Sequence, residues 1–124
     1  MLQQFPMYAY IPAIDVARAR KFYEGKLGFT PRAEIEGGVF YDCAGGTAAF
    51  LYPTSNAGSS RASQAFWQVT DIDKEVADLR ARGVVFEHYD MPGQDANGIV
   101  TQGGAKAAWF MDTEGNIMAV IQNA

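Results

Sequence analysis

The sequence predicts an α+β fold: two βαβββ modules in tandem. Three observations carry this expectation. Short runs alternate apolar and polar residues, as half-buried strands do. Two longer stretches repeat their apolar residues at helical spacing. The order of these elements then occurs twice within 124 residues, a length suited to one domain over 1–124, with halves at about 7–53 and 63–122.

Tyr8 to Ala13 reads as a strand with Ala9, Ile11 and Ala13 on one face and Tyr8 and Tyr10 on the other. Asp15 is placed to cap a helix, because its carboxylate can accept from the free N–H groups of the first turn. Val16, Ala19, Phe22, Tyr23 and Leu27 follow at helical spacing, and Gly28 stops the helix. Three strands are expected next, around Pro31–Ile35, Val39–Cys43 and Thr47–Tyr52, with paired glycines between them for tight turns. Residues 53–63 have turn chemistry and join the halves.

The pattern then restarts. Gln64 to Val69 is a strand, Asp71 caps a helix carrying Ile72, Val76 and Leu79, and Gly83 ends it. Val84 to His88, Ala107 to Met111 and Ile117 to Gln122 are expected as strands, the last two joined by the turn 112–116. The second half is the longer one, and its surplus is the polar, glycine-rich stretch Tyr89–Gly104, expected to act as a lid.

Composition excludes several classes of function. A formal net charge of −4 leaves no broad basic surface for phosphates, so no nucleic-acid partner is expected. No apolar run is long enough to span a membrane, and the first residues lack the basic start of a signal peptide, so a cytoplasmic location is expected. The single cysteine, Cys43, rules out a disulfide within the chain and reads as a structural thiol. His88, the only imidazole, reads as a strand-end residue, since Glu87 beside it points to the other face.

The segments IPAIDVARARKFYEGKLGF, DIDKEVADLRARGVVFEHYDMPG and AAWFMDTEGNIMAVIQ resemble signatures of the vicinal oxygen chelate superfamily, which includes glyoxalases, bleomycin resistance proteins and extradiol dioxygenases. The resemblance covers essentially the whole chain and implies a curved mixed sheet around a cup with helices on the outer face, the cup closed by two halves, from one chain or from two, and a homodimer. It also implies where a metal would sit. In relatives one ligand lies about seven residues before each capping Asp, which selects Tyr8 and Gln64, and another about four after each turn glycine, which selects Phe50 and Ala119. A divalent ion needs several imidazole, carboxylate or thiolate donors. A phenol, a phenyl ring, a methyl group and one carboxamide do not supply them, so neither a metal nor another cofactor is expected.

What the alternation leaves for the cup is aromatic. Tyr8, Tyr10, Gln64, Phe66 and Gln68 from the first strands, Phe50 and Tyr52 from the end of the first half, and Trp109 after the expected lid are the candidate ligand-binding residues. Rings with a few polar tips suit a flat organic molecule. The expected function is therefore metal-independent binding or sequestration of a small aromatic or amphipathic molecule, in the manner of bleomycin resistance proteins. The alternative is a glyoxalase- or dioxygenase-like lyase or isomerase of the same fold, for which the sequence singles out no catalytic residue.

Overall fold

The computed structural model describes residues 1–124. In the first half, β1 (Tyr8–Ala13) leads into α1 (Val16–Arg20), which continues as a π-helical turn over Lys21–Lys26. β2 (Pro31–Ile35), β3 (Gly38–Asp42) and β4 (Ala48–Pro53) follow. The second half repeats the order with β5 (Ala65–Gln68), α2 (Ile72–Ala81), β6 (Val100–Gln102), β7 (Ala105–Met111) and β8 (Ile117–Gln122). Each half is a four-stranded mixed sheet, ordered β1-β4-β3-β2 and β5-β8-β7-β6. In both, the first strand runs parallel to the last and the remaining pairs are antiparallel.

The expected caps form. The Asp15 carboxylate accepts from the Arg18 N–H at 3.0 Å and that of Asp71 from the Lys74 N–H at 3.2 Å. Alternation then decides which faces are buried. Ile11, Ala13, Val39, Tyr41 and Leu51 from the first sheet share a single core with Phe110, Met118 and Val120 from the second, with Phe22 and Tyr23 of the π-helical turn, and with Ile72 and Val76 of α2. Rings cross between the halves, Phe22 to Phe110 at 6.1 Å and Phe29 to Trp67 at 5.8 Å.

Two expectations for the second half are corrected. Val84–His88 is not a strand: it touches β7 through one bridge, Phe86 to Phe110, and one hydrogen bond from the Glu87 N–H to the Trp109 carbonyl at 2.8 Å. The strand beside β7 is instead Val100–Gln102. The side chain of Gln94 accounts for the difference. Its Nε2 donates to the carbonyls of Glu87 and Gly98, both at 3.1 Å, and its Oε1 accepts from the Tyr89 N–H at 2.8 Å. Backbone groups that a ladder would have paired are satisfied locally. Only the later part of the expected lid is packed into the fold: Ile99 and Val100 are buried, 2% and 5% exposed, and Val100–Gln102 pairs with β7, whereas residues 89–93 are exposed.

The halves are also joined by buried polar groups. Asp112, Glu114 and Asn116, in the turn between β7 and β8, are all buried. Asp112 accepts from the Tyr23 hydroxyl at 2.6 Å, from Asn116 Nδ2 at 2.8 Å, and from the N–H groups of Glu114 and Asn116, each at 2.9 Å. Asn116 also donates to the Pro12 carbonyl at 2.8 Å. Glu114 accepts the Asp15 N–H at 2.8 Å and the Arg18 guanidinium through Nε and Nη2 at 2.9 and 3.0 Å. Gly58 of the connecting segment lies so close to this turn that a Cβ would fall 2.5 Å from the Glu114 carbonyl, with a φ of +73° that only glycine adopts readily. Burial, together with the neighbouring Asp112 carboxylate, pushes the Tyr23 hydroxyl well above its usual range. The Arg18 bond holds Glu114 at about 2.

This arrangement predicts an acid-labile join. A Glu114 carboxylate depressed below its unfolded value of about 4.3 stabilises the fold above that pH, and the contribution is lost as pH falls from about 4.3 toward 2. Because Arg18 is half-exposed and screened by solvent, the loss is about 1–2 kcal/mol. Urea unfolding between pH 6 and pH 2.5 measures it, and Glu114→Gln should flatten that part of the profile. Asp112→Ala, which strands the Tyr23 hydroxyl and two N–H groups, should cost about 3 kcal/mol or more at pH 7.

Candidate functional site

With one face of each sheet turned to the core, the other face is left to solvent. On the first sheet the strand register sets Tyr10 opposite Phe50 and Phe50 opposite Phe40, so three rings cross β1, β4 and β3 in one row. Phe40 and Phe50 lie 4.6 Å apart, and Phe50 and Tyr52 stack at 6.3 Å with planes 2° apart. Tyr10 meets Tyr52 edge-on at 5.1 Å, and Tyr8 meets Phe40 in the same way at 6.2 Å. The Arg32 guanidinium sits 4.9 Å from the centre of the Phe40 ring, while its Nε bonds Asp42 at 2.6 Å. An aromatic sheet face edged by an ion pair results.

The second sheet offers a sparser face. Phe66, Ala119 and Trp109 form the corresponding row across β5, β8 and β7. Trp109 Nε1 donates to Ser63 Oγ at 3.1 Å, and the Tyr89 ring meets the indole edge-on at 5.8 Å. Gln68 and Ile121 are paired in the adjoining row. Gln64 lies at the seam between the sheets, its Nε2 donating to the Tyr10 carbonyl at 3.0 Å. Tyr10 and Phe66 remain 66% and 58% exposed, so the face is open rather than an enclosed cavity.

The eight expected residues thus divide into three groups. Tyr8, Tyr10, Phe50 and Tyr52 share one ring cluster, Phe66, Gln68 and Trp109 lie on the other sheet, and Gln64 links the two. Trp109, whose direction the sequence leaves open, lies on the same side as Phe66. Phe40, Arg32 and Tyr89 belong to these faces and are not among the sequence candidates. Phe40 could have been found, since it alternates with buried Val39 and Tyr41 along its strand. His88 is exposed.

The chelating positions fail the test of donor chemistry. Tyr8 and Phe50 belong to the ring cluster, Ala119 offers a buried methyl group, and Gln64, whose Nε2 donates to the Tyr10 carbonyl, leaves one amide oxygen as the sole donor of the four. No group of three or more His, Cys, Asp or Glu side chains is placed to hold an ion. The residues present do not fit a divalent metal at these positions.

The model of the Glyoxalase/Bleomycin resistance protein/Dioxygenase superfamily matches residues 5–120. The chain belongs to this superfamily. Among solved structures, it is similar to TnmS3, an antibiotic binding protein from Streptomyces sp. CB03234, with 23% identity and a TM-score of 0.77, covering 100% of this chain and 99% of that one. UcmS2 is similar at 18% identity and TM-score 0.75, over 94% of this chain and 96% of that one. Lactoylglutathione lyase from Agrobacterium tumefaciens is similar at 16% identity and TM-score 0.71, over 94% and 92%. At these identities the likeness is one of fold, and the superfamily spans binding proteins and lyases alike. No curated protein matches the sequence.

Gly38 tests how tightly the rings are set. A Cβ there would fall 2.2 Å from the Leu51 carbonyl and 2.6 Å from the Phe50 ring. Gly38→Ala should force strand and ring apart and lower stability by about 2 kcal/mol, measurable by urea unfolding, with a change in near-ultraviolet circular dichroism.

Proposed function

We propose that this chain binds a small aromatic or amphipathic molecule, without a metal, against the ring-bearing face of its two sheets. The observation that carries this is the row Tyr10, Phe50 and Phe40 with Tyr8 and Tyr52 beside it, five rings on one side of one sheet and partly open to solvent. Packing alone does not require tyrosines there. Their flat faces offer apolar area, and their hydroxyls can orient a ligand. Phe66 and Trp109 extend the surface, while Gln64, with its amide oxygen still able to accept, and Gln68 supply polar tips. The likeness in fold to an antibiotic binding protein supports the same reading.

We further infer that the chain acts as one domain and that a second copy closes the face in a homodimer. Tyr8, Tyr10, Phe66 and Met111 are all about half-exposed or more, with Phe5 and Met7 exposed beside Tyr8. Contiguous exposed apolar surface of this kind marks a contact site. The free thiol of Cys43 suits a reducing, cytoplasmic location. No helix is long and apolar enough to cross a membrane.

A thermal-shift screen of planar aromatic antibiotics and metabolites, run with and without EDTA, tests the function. A ligand at ten times its Kd should stabilise the protein by about 1.4 kcal/mol, or roughly 5 °C, equally in both buffers. Tyr10→Ala combined with Phe66→Ala should abolish the shift. A stoichiometric metal in the purified protein, or stabilisation that EDTA removes, would overturn the proposal. Sedimentation equilibrium tests the dimer.

A further inference from the structure

We infer a second, separate binding site on the helix side of the molecule, selective for a single-ring aromatic ammonium cation. A cavity of about 190 Å³ opens there between the end of the π-helical turn, β5 and α2, and seven of its eight lining residues are apolar. Leu27, Phe29, Trp67 and Leu79 pack against the core yet remain only partly buried, because they border this cavity. Trp67 and Phe110 are stacked at 6.2 Å with planes 11° apart, and Phe29 lies 5.8 Å from Trp67, which gives the cavity three aromatic walls. An apolar cavity of roughly 150 Å³ is large enough to take up benzene. This one holds a single ring with a short substituent.

The eighth lining residue supplies the selectivity. Glu75 is the only charged side chain in the lining, and it takes no part in the ion pairs that its helix makes. The other carboxylates of its helix are all engaged: Asp71 caps the N-terminus, Asp73 meets Lys106, and Asp78 meets Lys74. Lys74, next in sequence to Glu75, is therefore already held by Asp78. An unpaired carboxylate beside three rings attracts cations twice over, through its own charge and through the negative faces of the rings. A ring in the cavity with an ammonium group at Glu75 satisfies both, whereas an anion is repelled. The site is distinct from the open face above, since the cavity is lined by residues of the core side of the sheets.

The two tryptophans separate the sites experimentally, Trp67 lining the cavity and Trp109 lying on the open face. In Trp109→Phe, titration with benzylammonium should change Trp67 emission saturably, at a Kd of roughly millimolar for so small a ligand. Benzyl alcohol should bind about fivefold more weakly, the effect of one partly exposed charge pair, and benzoate not at all. Glu75→Gln should bring the amine and the alcohol to equal affinity. No saturable response in folded protein, or an amine preference that survives Glu75→Gln, overturns the inference. Amide NMR of the unaltered protein gives an answer independent of both substitutions. Benzylammonium shifts centred on Trp67, Glu75 and Leu79 support the site, and shifts confined to Tyr10, Phe66 and Trp109 overturn it while leaving the open-face proposal standing.

Discussion

The carboxylate of Asp112 lies buried where the two halves meet, and a buried polar group of this kind is tolerated only when its acceptor sites are filled. It receives four hydrogen bonds, from the Tyr23 hydroxyl, from the Asn116 amide and from two N–H groups of its own turn. The turn so fixed holds the end of β1 through Asn116 and Pro12, and the start of α1 through Glu114, Asp15 and Arg18. The same join sets β1 beside the second sheet, where the Gln64 side chain, at the start of β5, bridges to the Tyr10 carbonyl.

Much of the fold could be read directly. Alternation along β1, β4, β5 and β8 placed Ile11, Leu51, Trp67 and Met118 toward the helices and Tyr10, Phe50 and Phe66 away, because a strand has only two faces. Asp15 and Asp71 were legible as caps because their partners lie three residues ahead. The illegible features depend on contacts distant in sequence or on one side chain's geometry. Val84–His88 has a strand's composition, yet the Gln94 amide takes the Glu87 carbonyl and the Tyr89 N–H that follows the segment. Asp112 and Tyr23 are 89 positions apart, and no local pattern announces that they touch. Of the open faces, the rings were evident and their neighbours less so: Phe40 follows from alternation, whereas Tyr89 reaches Trp109 only through the path of its loop.

The two halves share a plan and differ in chemistry. The first presents rings on three adjacent strands, while the second presents Phe66 and Trp109 around the small Ala119. The first face thus offers aromatic area with few directed bonds, and the second fewer rings.

The π-helical turn carries a latitude of another kind. Its bond from the Leu27 N–H to the Phe22 carbonyl spans five residues instead of four, so the segment holds more residues per turn than an α-helix would. Gly25 within it faces open space and is free to vary in identity. A turn widened by one residue spans the angle that an ordinary turn spans with one fewer. Excising Gly25 would let the backbone close as ordinary helix while Leu27 and Phe29 keep their approach to Trp67 and the core, so the chain could shorten here by one residue without disturbing what the helix carries.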